Sequence, residues 1–178
     1  MKILETEIPG LLKIETDMFP DERGVFWESF QKPKLTEQGL PEDFNPKQIN
    51  FVSNTKAGVI RGIHAEPWRK YVSVIKGKAQ GVYVDLRKGE GFGKVVYIDL
   101  VPGVSVFLPV GIGNSYETLE DDTYYVYAVD GHWRAGERYV GINMFDEKLN
   151  IQWKTKKESA IISEKDKVLP GLDEVGPF

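Results

Sequence analysis

Between Tyr71 and Val129 the chain repeats one pattern: a run of five to seven residues rich in β-branched and aromatic types, then a turn carrying glycine or proline. Tyr71–Ile75 runs into Lys76-Gly77-Lys78, Gly81–Leu86 into Arg87-Lys88-Gly89-Glu90-Gly91, and Lys94–Leu100 toward Pro102-Gly103. Pro109 and Thr123–Val129 mark further strands. Runs this short are strands rather than helices, and their regular recurrence restricts the chain to an all-β barrel or sandwich. Upstream, Gly24–Phe30 alternates apolar and polar residues after the turn Pro20–Gly24, and Ile49–Ser53 reads as another short strand. Residues 35–47, rich in Pro, Glu, Asp and Asn, read as a loop. The one helix expected lies near the C-terminus, where Ser163 can N-cap Glu164–Lys167.

Strands alone do not say what such a fold works on, and composition narrows the choice. The 178 residues fit one domain, 1–178, with room for a core, and no repeat or low-complexity tract divides them. A net charge of −4 disfavours a nucleic-acid backbone as the partner, although a local group of cations can still hold a small phosphate ligand. No apolar run approaches the roughly 20 residues that cross a bilayer, and the first ten residues lack the features of a signal peptide. The absence of cysteine removes disulfide and thiolate chemistry and fits a reducing cytoplasm.

Only two histidines are present, His64 and His132, 68 positions apart, and no His-x-His pair offers the ligand spacing of a metal site. No metal is expected. His64 stands in Arg61-Gly62-Ile63-His64-Ala65-Glu66-Pro67-Trp68-Arg69-Lys70, close to several cations. Histidine is the natural general base near neutral pH, yet this decapeptide alone reads more readily as a surface loop of mixed charge. Taken singly, Lys70 is a solvated lysine, Arg61 the partner of an acid, Tyr127 a half-buried aromatic and Asp166 an acid in a first helical turn.

Taken together, seven segments resemble the dTDP-4-dehydrorhamnose 3,5-epimerase family, in the family's order and nearly end to end. They are Asp21–Phe26 with Glu28, Gln48–Asn50, Arg61–His64, Val84–Arg87 with Phe92-Gly93, Leu108–Gly111, Asp146–Trp153 and Ser163–Asp166. The run from His64 to Tyr71 is similar to a Gram-positive branch. The resemblance implies a cupin-like β-jelly-roll barrel with a short helical C-terminal tail. It also implies a homodimer whose N-terminal strands reach into the partner's site, and no cofactor. The substrate it implies is a nucleotide-linked 4-keto sugar, dTDP-4-dehydro-6-deoxyglucose, epimerised at C3 and C5 through an enolate.

The same resemblance gives the residues their roles. His64 is the base, Asp166 holds its far nitrogen, Lys70 with Arg61 faces the C4 oxygen, and Tyr127 returns a proton from the opposite face. Arg23, Phe26, Glu28, Gln48 and Asn50 contact nucleotide or sugar, Lys165 the diphosphate, and Trp68 the base. Asn114 stands where the family usually has a histidine, and His132-Trp133 where it has a tyrosine pair, which makes Trp133 the stacking residue. The stretch after His64 is shorter than the common glutamine-rich one. These departures leave open an epimerase of one carbon or of another nucleotide sugar. The contrasting reading, a barrel that binds a sugar nucleotide without catalysis, has no use for a base and an acid on opposite faces.

Overall fold

The computed structural model describes residues 1–178. In chain order its strands are β1 (Lys2–Glu5), β2 (Leu12–Glu15), β3 (Phe19–Asp21), β4 (Gly24–Phe26), β5 (Gln48–Asn54), β6 (Ile60–Ala65), β7 (Lys70–Lys76), β8 (Ala79–Asp85), β9 (Val95–Leu100), β10 (Val104–Leu108), β11 (Ile112–Thr118), β12 (Thr123–Val129) and β13 (Val140–Gly141). Three short α-helices accompany them: α1 (Lys32–Glu37), α2 (Glu164–Lys167) and α3 (Leu172–Val175). One antiparallel sheet has the order β1-β2-β10-β7-β12-β5 and a second the order β13-β6-β11-β8-β9, while β3 and β4 pair as a separate hairpin.

From β6 to β12 the chain passes from one sheet to the other at nearly every turn. Alternation along each strand therefore sends every second side chain between the sheets. Val72 and Val74 of β7, Val106 and Leu108 of β10 and Tyr125 of β12 meet Tyr83, Ile98, Leu100, Ile112 and Tyr116 from the opposite sheet. Each such side chain contributes about 1.5–3 kcal/mol when fully buried. The far face of the five-stranded sheet is covered by the C-terminal tail, with Val140, Ile142, Met144, Leu149 and Leu172 against Ile60, Ile63 and Val84. The far face of the six-stranded sheet is covered by Leu35, Leu40 and Phe44.

The structure corrects three sequence expectations. The stretch 35–47 is not wholly loop, because α1 runs into it: the Gln31 side chain accepts from Lys34 N at 2.8 Å, and Pro33 sits in the first turn. Proline there loses no hydrogen bond and its fixed φ suits a first turn, so it helps to open the helix. Helices are accordingly not confined to the C-terminus. The extended segment at 24–30 stops at Phe26, and no closed barrel forms. No ladder joins the sheets; at the end where β5 and β6 face each other, polar side chains line a cavity instead. The C-terminal helix does appear as read, capped by Ser163 Oγ, which accepts from Asp166 N at 3.2 Å.

Phe44 holds the cover on the six-stranded sheet. It is fully buried, meets Phe107 edge-on at 5.1 Å and carries the Arg69 guanidinium 5.6 Å from its ring centroid. Phe44→Ala is expected to lower unfolding free energy by about 3–5 kcal/mol, read from the urea midpoint at unchanged slope.

Candidate active site

The cavity between the sheets has a volume of about 510 Å³. Its walls come from β5, β6, β7, β11 and β12, with β13 and the C-terminal tail at the mouth. An irregularity in β6 makes the site possible. Arg61 and His64 are three residues apart, so on a regular strand they would point to opposite faces. Here Asn114 pairs with His64 and Tyr116 with Arg61, two residues of β11 against three of β6. The extra residue turns both Arg61 and His64 into the cavity while Ile60 and Ile63 stay under the tail. Gly62 carries the bulge with φ +106°, and a Cβ there would lie 2.5 Å from Asn114 O.

His64 Nε2 lies 2.9 Å from Asp166 Oδ1. Asp166 is 6% exposed, and its Oδ2 also accepts from the backbone N–H of Gly62 at 3.4 Å. With Nε2–H donating to this carboxylate, Nδ1 is left as the ring's acceptor. The tail thus supplies a fixed anion to a base carried by β6, across 102 residues of chain.

Lys70 and Tyr127 stand on neighbouring strands of the other sheet. Lys70 Nζ is 5.7 Å from the centroid of the Tyr127 ring and 2.5 Å from Glu66 Oε2. Burial, and then the nearby Glu66 carboxylate, push the Tyr127 hydroxyl above its ordinary range, while Arg61 acts in the opposite direction. Tyr127 is therefore a neutral phenol around pH 7. Behind it, Tyr125 and Tyr116 stack at 4.1 Å, and burial raises both, Tyr116 to about 12. Tyr125 Oη–H donates to Asn114 Oδ1 at 3.1 Å, and Asn54 Oδ1 accepts from Arg61 Nε at 3.0 Å.

Of the residues singled out in the sequence, Arg61, His64, Lys70, Asn114, Tyr127, Lys165 and Asp166 converge on this cavity. Gln48 and Asn50 lie on β5, bonded to each other at 2.7 Å, with Asn50 in register with Tyr127. Trp68 and Trp133 flank Tyr139 at the mouth, at centroid distances of 5.4 and 6.4 Å, and Trp133 is 69% exposed. Arg23, Phe26 and Glu28 do not join them. Arg23 pairs with Asp21 on the exposed β3–β4 hairpin, Phe26 is 65% exposed, and Glu28 pairs with Lys34 beside the N-terminus. His132 is exposed beyond β12, bonded to Arg134. Sequence reasoning passed over Glu66, Tyr125 and Tyr139. The Tyr-x-Tyr spacing of 125 and 127 was the available signal, since it places both on one face of a strand.

Inverting a carbon beside a ketone requires a group that removes a proton on one side and a group that supplies one on the other, and both kinds face this cavity. Comparison with known proteins makes this specific: the profile of the dTDP-4-dehydrorhamnose 3,5-epimerase family matches residues 5–174. A Streptococcus pyogenes protein described as an RmlC homolog is 40% identical over 177 residues, covering 97% of this chain and 89% of the relative. A dTDP-4-dehydrorhamnose 3,5-epimerase of Shigella flexneri is 34% identical, with 93% of each chain covered. The structure of RmlC from Streptococcus suis in complex with dTDP-D-xylose superposes with a TM-score of 0.93 at 38% identity, over 99% of this chain and 94% of that one. The chain belongs to the dTDP-4-dehydrorhamnose 3,5-epimerase family.

The bulge yields a direct check. Gly62→Ala meets both the positive φ and the Asn114 carbonyl, so it is expected to lose about 1–3 kcal/mol of stability. Where circular dichroism shows the variant folded, turnover is expected to fall about 100-fold through displacement of His64.

Proposed function

We propose that the protein converts dTDP-4-dehydro-6-deoxyglucose to dTDP-4-dehydro-L-rhamnose with His64, Asp166, Lys70 and Tyr127 as its working groups. The C4 ketone acidifies the protons on C3 and C5. His64 removes each proton, and Asp166 stabilises the imidazolium that results. Lys70, with Arg61 beside it, faces the C4 oxygen as negative charge develops on it, the part a preorganised cation plays best in a water-poor cavity. Tyr127 then delivers its phenolic proton from the other face. The observation that carries this reading is the 2.9 Å contact between His64 and the buried Asp166 in the same cavity as a neutral Tyr127.

Lys165 binds the diphosphate, Gln48 and Asn50 the nucleotide or sugar, and Asn114 offers a hydrogen bond that does not titrate. Trp68 and Trp133, at the rim with Tyr139, stack the base. The whole chain acts as one jelly-roll domain in the cytoplasm; the repeated crossing between sheets is what supports the jelly-roll reading. No helix is long and apolar enough to cross a membrane. Arg23, Phe26 and Glu28 serve the site of a second copy through exchange of N-terminal strands. The exposed apolar side chains of Phe19 and Phe26 on the hairpin, and of Ile49 and Phe51 on the edge strand β5, supply surface for that dimer.

The decisive experiment follows deuterium entry from D₂O by NMR, without a reductase. Label at both C3 and C5 is the expected result; label at one carbon marks a single-carbon epimerase, and none despite saturable binding marks a binding module. Asp166→Asn is expected to bind dTDP nearly as the parent does while turnover falls by about 10³–10⁴-fold. If binding collapsed along with turnover, the role of Asp166 would be structural. With Tyr127→Phe, exchange at the carbons deprotonated by His64 continues while inversion stops, read from the stereochemistry of the recovered sugar.

A further inference from the structure

The turn between β6 and β7 carries a carboxylate that the scheme above leaves without a task. Glu66 and Lys70 both line the cavity, with side chains only 19% and 7% exposed. Glu66 Oε2 is 2.5 Å from Lys70 Nζ, is buried, and takes no aligned hydrogen bond from any other group, so the contact is an ion pair with one partner. The turn has little freedom to release it. Ala65 is in register with Val140, Lys70 with Leu108 and Val129, and Arg69 binds Asp130 through its backbone N–H at 2.9 Å and its Nε at 2.5 Å.

A carboxylate inside a cavity that receives a diphosphate weakens the attraction for the ligand. Its place in the site is therefore explained by what it does to its neighbours. A lysine ammonium ends a flexible four-carbon stem, and a fixed anion beside it removes that freedom. The same anion faces Tyr127. The charged and titratable groups around that phenol are Arg61 from β6, Glu66 from the turn, Lys70 from β7, Tyr116 from β11 and Tyr125 from its own strand; opposite it on β5 stands the neutral Asn50.

We infer that Glu66 is a positioning residue for the epimerisation, fixing the Lys70 ammonium against the Tyr127 ring and holding the phenol to its part as the acid. This rests on the roles given above to Lys70 and Tyr127. Glu66 itself transfers no proton. After burial, it is the Glu66 carboxylate that raises Tyr127. Removing that charge lets the phenol ionise at lower pH, and an ionised phenol has no proton to give. The alkaline limb of turnover then moves downward.

The test compares the unaltered protein, Glu66→Gln and Glu66→Asp for deuterium exchange, inversion and dTDP binding between pH 6 and 10. For Glu66→Gln we expect kcat lower by about 10–100-fold and the alkaline limb lower by about one pH unit, with dTDP bound equally or more tightly. Glu66→Asp keeps the charge but shortens the reach, so its kcat falls while its limb stays in place. It also keeps the test open should the glutamine variant not fold. A Glu66→Gln protein with the original kcat and limb overturns the inference alone. So does loss of dTDP binding in step with kcat, which marks a scaffold role, or a Glu66→Asp limb displaced as far as that of Glu66→Gln. An unaltered protein that exchanges no deuterium overturns the epimerase reading itself, and this inference with it.

Discussion

The lining of the cavity depends on one extra residue in β6. A strand alternates strictly, so two side chains three positions apart cannot share a face unless the ladder slips. Gly62 supplies the slip, and with it Arg61 and His64 enter the same cavity while Ile60 and Ile63 remain in the apolar layer on the other side. The Arg-Gly-x-His spacing is thus a geometric statement. It names two polar groups that must converge and the residue without a side chain that lets them, where a Cβ would strike the carbonyl of Asn114.

Around that convergence the cavity is organised as two carboxylate pairs on opposite walls, one hydrogen-bonded to an imidazole and one paired with an ammonium. On one wall an imidazole that is partly open to solvent meets a buried carboxylate from the tail. On the other, the buried Lys70 meets Glu66 from the adjoining turn. In each pair one member is held by neighbouring backbone, Asp166 by the Gly62 N–H and its helical cap, Lys70 by two ladders. Charges paired in this manner keep their positions in a medium of low polarity, where an unpaired charge would draw in water or lose its ionisation. The stacked tyrosines behind them are neutral and closely packed, and they give the wall between the pairs its rigidity.

Much of this was readable in the chain. The β-rich class followed from regular turns, because glycine and proline interrupt most runs long before a helix could form. The cavity residues were found through a resemblance spread over seven segments, not through any one motif, since His64, Lys70 and Tyr127 each have an ordinary explanation alone. The failures have physical causes. The stretch 35–47 reads as loop from its Pro, Glu, Asp and Asn content, but the helix that runs into it starts upstream, where Pro33 suits a first turn. Closure into a barrel is a property of edges, and nothing in the local pattern of β5 or β13 states whether those edges meet. Glu66 looked like part of a mixed-charge loop because its meaning depends on where Lys70 and Tyr127 arrive, on strands that only the fold brings beside it.

Because Asp166 sits on the C-terminal tail, the site belongs to two parts of the molecule with different resistance to opening. The β-sheets are stitched by continuous ladders, whereas the segment around Asp166 is fastened by a four-residue helix and a few isolated bonds, among them Ile60 N to Ile161 O and Asn143 N to Pro170 O. Segments tied in this manner detach at lower free energy than the sheets they cover. Opening of that segment alone would leave the sandwich intact and take the carboxylate away from the imidazole. With His64 and Asp166 in their proposed roles, inactivation is expected to precede unfolding under heat or denaturant.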